Sequence, residues 1–140
     1  MLIDDNKIDL FINQRVIEKF NASAHTMVFS NPIHAITYLE VLNATSKYQE
    51  RDFPHVIFLD INMPEMNGFQ FLKELAKLNI LRKNKPQIYL LSSSNLTEDI
   101  RMAGENEFCT NYINKPLTLE KITNLLAQPK PNLKTVKQLS

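Results

Sequence analysis

Residues 56–69 read VIFLDINMPEMNGF, and this stretch decides the predicted fold. It begins with four apolar residues, Val56–Leu59, and continues with the carboxylate of Asp60 and a loop that contains Pro64 and Gly68. A short apolar run that ends in turn residues is typical of a strand buried on both faces. Such strands form parallel sheets, whose ligands bind beyond the carboxyl ends of the strands. Asp60 stands at such an end, although a lone aspartate is also common as a loop or capping residue.

The composition is that of an ordinary soluble globular domain. The chain has 140 residues, 44% hydrophobic and 22% charged, which suits one domain with a sizeable core. The formal net charge is +1, so bulk charge predicts binding neither to nucleic acid nor to an anionic membrane. No apolar run approaches the roughly 20 residues that span a bilayer, and no signal peptide is visible. Cys109, the single cysteine, is interpreted as a core residue in a cytoplasmic protein.

Short apolar runs alternate with amphipathic segments along the rest of the chain. Five strands are predicted, and in chain order they end at Ile3, Phe29, Asp60, Leu91 and Ile113. Each is followed by a predicted helix, with an exposed connection at 44–54 and a basic surface turn at 82–85. The alternation predicts an α/β fold, a doubly wound five-stranded parallel sheet of order 2-1-3-4-5 with five helices. Residues 128–140 are predicted to be a flexible C-terminal tail.

Several helices carry predictions about their ends and faces. Asn31 followed by Pro32 is typical of a helix start, and Thr97 and Thr118 are predicted to cap the last two helices. In the first helix, residues 7–20, helical spacing predicts a single buried face. That predicted face consists of Ile8, Phe11, Ile12, Val16 and Phe20.

Polar side chains collect where the predicted strands end. Asp4 and Asp5 follow the first strand, Asp60 ends the third, Ser92 follows the fourth and Lys115 follows the fifth. Taken alone, the aspartate pair also fits a solvated turn that caps a helix. In a parallel sheet, however, all these ends lie on one edge, where carboxylate oxygens are suitable ligands for Mg²⁺. A carboxylate can also act as a nucleophile toward a phosphoryl group, whose transfer needs a divalent cation and a lysine.

These motifs together resemble the receiver domain of bacterial two-component response regulators. The segments that carry the resemblance are Leu-Ile-Asp4-Asp5-Asn6, Phe-Leu-Asp60-Ile-Asn-Met-Pro64-Glu-Met-Asn-Gly68, Leu-Leu-Ser92-Ser-Ser and Asn-Lys115-Pro116. The chain is most similar to single-domain regulators such as those of chemotaxis and of phytochrome signalling. The resemblance implies a receiver domain at residues 1–127 with the flavodoxin-like, CheY-like fold.

The resemblance also implies roles for the residues at the strand ends. Asp60 is expected to be the phosphoacceptor, which receives a phosphoryl group from a histidine kinase or phosphotransfer protein. The cofactor is expected to be Mg²⁺, bound by Asp5, Asp60 and the backbone carbonyl of Asn62, with Asp4 acting through a water molecule. Lys115 is expected to pair with the phosphoryl oxygens. Such a domain is not a conventional enzyme, although it catalyses its own phosphotransfer and dephosphorylation.

The resemblance also implies a conformational switch. Ser92 is expected to be the switch hydroxyl and Tyr112 the switch aromatic, and the bond between Lys115 and Pro116 is expected to be cis. Phosphorylation adds charge that would draw Ser92 and Lys115 inward and change the surface of the fourth helix, fifth strand and fifth helix. A downstream protein target would bind this surface, and no contact with nucleic acid or membrane is expected. Whether the surface also forms a phosphorylation-dependent homodimer stays open.

Two alternatives belong to other functional classes. Asp60 and Asn62 faintly resemble the Asp-x-Asp motif of haloacid-dehalogenase-like phosphatases, which are enzymes. An asparagine side chain cannot supply the general acid of that motif, and the other acids lie upstream instead of downstream. The second alternative is a receiver-like binding module that signals without phosphate. Such modules usually lack one of the acids or the lysine, and none is lost here.

Overall fold

The structure, a computed structural model, describes residues 1–45 and 47–127. The predicted tail at 128–140 lies outside the described residues. A five-stranded parallel sheet has the order β2-β1-β3-β4-β5, which confirms the predicted doubly wound topology. The strands are β1 (Leu2–Ile3), β2 (Val28–Phe29), β3 (Val56–Asp60), β4 (Gln87–Ser92) and β5 (Asn111–Asn114).

The described part of the chain contains six α-helices, one more than the sequence predicted. They are α1 (Lys7–Phe20), α2 (Pro32–Ala44), α3 (Gly68–Leu75), α4 (Asn79–Asn84), α5 (Thr97–Glu105) and α6 (Leu119–Leu126), and a 3₁₀ turn spans Glu50–Asp52. The additional helix, α4, includes residues that were predicted to form a turn. Its own N-cap residue, Leu78, makes no side-chain capping bond. Instead, Asn43 of α2 accepts a hydrogen bond from the backbone N–H of Ile80 at 2.9 Å. This cap comes from a residue far away in sequence, so local sequence reasoning missed the helix.

Strand β3 is buried on both faces, as its apolar run predicted. Ile57 and Leu59 face a core shared with α2, α3, α4 and α5. Phe58 faces the opposite core, which α1 and α6 cover, and its ring stacks on Tyr89 of β4 at 5.5 Å between centroids. Helices therefore cover both faces of the sheet, and the carboxyl ends of its strands remain along one edge.

The predicted buried face of α1 is wrong for the first half of the helix. Three of its members lie at the surface, with exposed fractions of 70%, 60% and 43% for Ile8, Phe11 and Ile12. Leu10 and Asn13 are buried instead, and Val16 and Phe20 are partly buried as predicted. Apolar residues occur on two sides of this helix, so spacing alone could not identify the side that packs on the sheet.

The helix starts follow the predicted capping pattern in two of three cases. Asn31 accepts a hydrogen bond at the start of α2 with Pro32 in the first turn, and Thr118 caps α6. Thr97 does not cap α5: the cap position is Leu96, which makes no side-chain capping bond.

Two further findings concern the connections and the length of the helices. In the connection at 44–54, which was predicted to be exposed, Phe53 is buried in the core and Pro54 is also buried. Among the helices of the described residues, none is both long and apolar enough to cross a membrane.

Candidate functional site

The structure brings the predicted strand-end residues to one edge of the sheet. Parallel pairing places Asp60 beside Leu91 and Ser92 beside Asn114, so neighbouring strands end at nearly the same level. Asp4 and Asp5 follow β1, the neighbour of β3 on its other side. Asn62 lies exposed in the loop after β3, and the role of its carbonyl as a metal ligand stays a prediction.

Three carboxylates form a compact cluster at this edge. Asp4, Asp5 and Asp60 each offer one oxygen, and these three atoms lie within 4.8 Å of one another. Asp4 and Asp60 are buried, with exposed fractions of 1% and 4%, whereas Asp5 faces the solvent. Carboxylates at this spacing repel one another, and a bound divalent cation relieves that repulsion. Oxygen ligands with one side open to water are the type of donor set that suits Mg²⁺.

Lys115 is the cation that the structure places against this cluster. Its Nζ lies 2.7 Å from Asp4 Oδ2, 2.9 Å from Asp9 Oδ2 and 3.0 Å from Asp60 Oδ1. Asp9 was not predicted, because it lies in the first turn of α1 rather than at a strand end. The sequence feature that could have indicated Asp9 is its position in the first turn of α1, three residues after the N-cap residue Asn6.

The environment changes the proton affinities of these groups. Burial raises the pKa of Asp60 to about 6, although its hydrogen bond with Lys115 opposes the shift. Burial also raises the pKa of Asp4. For Lys115, burial lowers the pKa, but hydrogen bonds with Asp4, Asp9 and Asp60 outweigh it, and the net pKa is raised. Lys115 therefore stays protonated at neutral pH and supplies a fixed positive charge beside Asp60.

The loop after Asp60 is built around a close backbone contact. The N–H of Gly68 donates to the carbonyl of Ile61 at 2.8 Å. A Cβ at position 68 would lie 2.8 Å from the Asp60 carbonyl oxygen and 3.0 Å from Ile61 Cα, which leaves no room for a side chain. Asn67 then starts α3 in a reciprocal capping box with Gln70. The loop is therefore fixed at both its ends.

The two predicted switch residues are linked through one residue. Ser92 is fully buried, and its Oγ accepts a hydrogen bond from the backbone N–H of Ser94 at 3.0 Å. The hydroxyl of Tyr112, in β5, donates to the backbone carbonyl of the same Ser94. Both predicted switch residues therefore form hydrogen bonds with the backbone of Ser94.

The turn that carries Lys115 is held by a residue that sequence reasoning missed. The bond between Lys115 and Pro116 is cis, as expected. Lys121 of α6 donates to the carbonyl of Asn114 at 2.6 Å and to the carbonyl of Pro116 at 2.8 Å. Because both bonded carbonyls flank Lys115, Lys121 fixes the backbone from which the site lysine projects.

An open cleft leads from the surface to Lys115. Its volume is about 240 Å³, and it is lined by Asp9, Ile12, Asn13, Ser93, Lys115 and Pro116. Ser93, whose side chain is small, is among these lining residues. The cleft gives a small anion a route to the lysine.

Comparisons with known proteins agree with this fold. The chain matches the family described as "Response regulator receiver domain" over residues 1–127. The crystal structure of a two component response regulator from Cytophaga hutchinsonii is similar, with a TM-score of 0.76 and 31% identity over 90% of this chain and 91% of that chain. Protein PilG of Pseudomonas aeruginosa is 27% identical over 142 residues, covering 100% of this chain and 93% of that protein.

A longer relative shares only one segment with this chain. The sensor histidine kinase CheAY of Helicobacter pylori is 29% identical over 126 residues, which is 90% of this chain. The chain spans only 14% of the length of that relative. The family match covers every strand and helix of the described residues, including all the strand ends that form the site. The chain therefore belongs to the response regulator receiver domain family.

Proposed function

We propose that this receiver domain, residues 1–127, accepts a phosphoryl group on Asp60 in a Mg²⁺-dependent reaction and thereby signals to a protein partner. The observation that carries the proposal is the contact between the buried Asp60 carboxylate and Lys115, 3.0 Å apart, beside the carboxylates of Asp4 and Asp5. A nucleophile, a fixed cation and a group of metal ligands are the parts that phosphoryl transfer requires.

The chemistry follows from these groups. A carboxylate oxygen of Asp60 attacks the phosphorus of a phosphohistidine, the bond from phosphorus to nitrogen breaks, and an acyl phosphate forms. The imidazole leaves with the electron pair of the broken bond and is protonated. Lys115 donates to a phosphoryl oxygen and stabilises its charge. Bound Mg²⁺, held by Asp5, Asp60 and the Asn62 carbonyl with Asp4 acting through water, would supply further positive charge at these oxygens.

The signal would arise from the change of charge at Asp60. A phosphoryl group carries roughly −1.5 to −2 charges and adds acceptor oxygens. The Ser92 hydroxyl would donate to one of these oxygens and give up its present bond to the Ser94 N–H. Because Ser94 also holds Tyr112, the movement would reach α5, β5 and α6 and alter the surface that a downstream protein contacts.

The donor of the phosphoryl group belongs to a recognisable class. A sensor histidine kinase contains a segment similar to this chain, which supports a histidine kinase or a phosphotransfer protein as the partner. The resulting activity is self-modification followed by hydrolysis, without turnover of an external substrate.

Intact mass after incubation with acetyl phosphate and Mg²⁺ tests the proposal. We expect a gain of one phosphoryl group that is lost in Asp60→Asn and when a chelator removes Mg²⁺. Asp99→Asn, which neutralises a carboxylate in the first turn of α5, is the matched control and should still gain the group. A phosphoryl group retained by folded Asp60→Asn, or none on the folded native protein, would contradict the proposal.

A further inference from the structure

Asp9, which lies outside the cluster of Asp4, Asp5 and Asp60, also contacts Lys115. The proposed function assigns no role to Asp9. Asp9 Oδ2 lies 2.9 Å from Lys115 Nζ and approaches it from α1, whereas Asp4 and Asp60 approach from the sheet. The side chain of Asp9 is 34% exposed, and that of Lys115 is 15% exposed. The pair lies in the cleft that opens to solvent, on the side from which a phosphoryl donor can enter.

Three carboxylates already surround the ammonium group of Lys115, which donates hydrogen bonds to Asp4 and Asp9 and forms an ion pair with Asp60. An ammonium group has three protons to donate, and Asp4, Asp9 and Asp60 are its three close acceptors. A phosphoryl oxygen can therefore engage Lys115 only if one of these contacts is given up. Asp4 and Asp60 hold Lys115 within the buried cluster, so the contact with the half-exposed Asp9 is the one most easily released.

The charges at the site lead to the same conclusion. Asp9 does not belong to the group of carboxylates close enough to share a cation, which in the described residues comprises Asp4, Asp5 and Asp60. A cation bound by those three would leave the charge of Asp9 facing the cleft. That charge repels an incoming phosphoryl group and attracts the lysine that should receive it.

We propose that Asp9 is a positioning residue that restrains Lys115 and thereby slows phosphorylation of Asp60. In the unmodified domain, Asp9 holds the ammonium group on the side of α1. When a phosphoryl group arrives, Lys115 exchanges its contact with Asp9 for a phosphoryl oxygen. This inference rests on the proposed function, because it assumes that Asp60 is the acceptor.

A purely structural role predicts a different result. Asp9 is the acidic residue in the first turn of α1, where negative charge stabilises a helix. If that were its whole contribution, Asp9→Asn would lower the stability and leave the rate of phosphorylation unchanged. The restraint predicts instead that the rate rises.

The experiment measures phosphorylation rates with acetyl phosphate at saturating Mg²⁺. We expect Asp9→Asn to react about two to five times faster than the native protein, the range that a partly exposed charge pair supports. Asp9→Glu keeps the charge and should stay within about twofold of the native rate. Glu18→Gln removes a charge from the same helix, about 13 Å further along, and serves as the control that should not change the rate.

A second measurement needs neither metal nor phosphate. The ¹⁵Nζ resonance of Lys115 in the metal-free protein should shift in Asp9→Asn and stay in place in Glu18→Gln. A native protein that gains the phosphoryl group, with Asp9→Asn no faster, would overturn this inference and leave the proposed function standing. An unchanged Lys115 resonance would also overturn it. A native protein that gains no phosphoryl group would refute the proposed function and this inference with it.

Discussion

At the scale of single residues, Gly68 offers a direct test of how tightly the Asp60 loop is built. A methyl group there would meet the Asp60 carbonyl at 2.8 Å, so the backbone would have to shift. We expect Gly68→Ala to lower the free energy of unfolding by about 1–3 kcal/mol, as overpacking usually does.

Gly104→Ala is the control, because nothing lies within 4 Å of a Cβ there. In a helix this change should raise stability by about 0.5–1 kcal/mol. Urea unfolding measures both, and equal effects would contradict the steric argument.

A second prediction at this scale concerns the pH dependence of stability without metal. The pKa of Asp60 rises from 3.8 to about 6 on folding, so the folded state binds the proton more tightly than the unfolded state. Stability contributed by this group therefore falls as the pH rises from about 4 to about 6 and is constant above that range. We expect Asp60→Asn to be more stable than the native protein at pH 7 by about 1–3 kcal/mol, with the difference vanishing below about pH 4.

The comparison of these two proteins removes the contribution of titrating groups that do not interact with Asp60. The amino group of Met1 also contributes to the pH dependence, between about pH 6 and pH 8, because burial lowers its pKa from 8.0 to about 6. Its contribution has the opposite sign. When folding lowers the pKa of a basic group, the stability contributed by that group increases as the pH rises. That contribution is common to both proteins and cancels in their difference. Urea unfolding at several pH values gives the difference directly, and a difference that grows toward low pH would contradict the prediction.

At the scale of secondary-structure elements, α5 begins without a side-chain cap. Its cap position is Leu96, whose backbone is extended and whose side chain is 62% exposed. We expect Leu96→Ser to raise the free energy of unfolding by about 0.5–1 kcal/mol. The serine hydroxyl can accept a hydrogen bond from a backbone N–H group that the first turn of the helix leaves unpaired. Thr97→Ala should change it by less than about 0.5 kcal/mol, since Thr97 is already inside the helix. Thermal unfolding measures both, and a cost of about 1 kcal/mol for Thr97→Ala would restore the cap predicted from sequence.

Some features of the strands and helices could be predicted from the sequence, and others could not. Strand ends could be predicted because each apolar run leads directly into its polar residue, as β3 leads into Asp60. The side of α1 that packs on the sheet could not, because apolar residues occur on two sides and only tertiary packing selects one. The position of Asp9 in the first turn of α1 is visible in the sequence, but its contact with Lys115 spans 106 residues, so no local pattern predicts that contact. The cap of α4 by Asn43 is likewise a contact between distant segments.

At the scale of the whole molecule, the site joins the first and last parts of the fold. Asp4 and Asp9 come from the beginning of the chain, Asp60 from the central strand and Lys115 from the turn after β5. The cluster cannot form in the unfolded chain, so a cation that binds it binds the folded state selectively. A cation that binds only the folded state raises the free energy of unfolding of the entire domain.

Mg²⁺ is therefore expected to raise the free energy of unfolding, by about 2.7 kcal/mol at a concentration one hundred times its dissociation constant. Asp60→Asn and Asp5→Asn should reduce this gain, because each removes a carboxylate from the cluster. Because burial raises the pKa of both Asp4 and Asp60, protons compete with the metal, and the gain should be smaller at pH 5 than at pH 7. Urea unfolding with Mg²⁺ and with a chelator measures the gain, and Gly104→Ala is the control that should keep it. Equal stabilisation of the native protein and of both carboxylate variants would place the metal elsewhere on the domain.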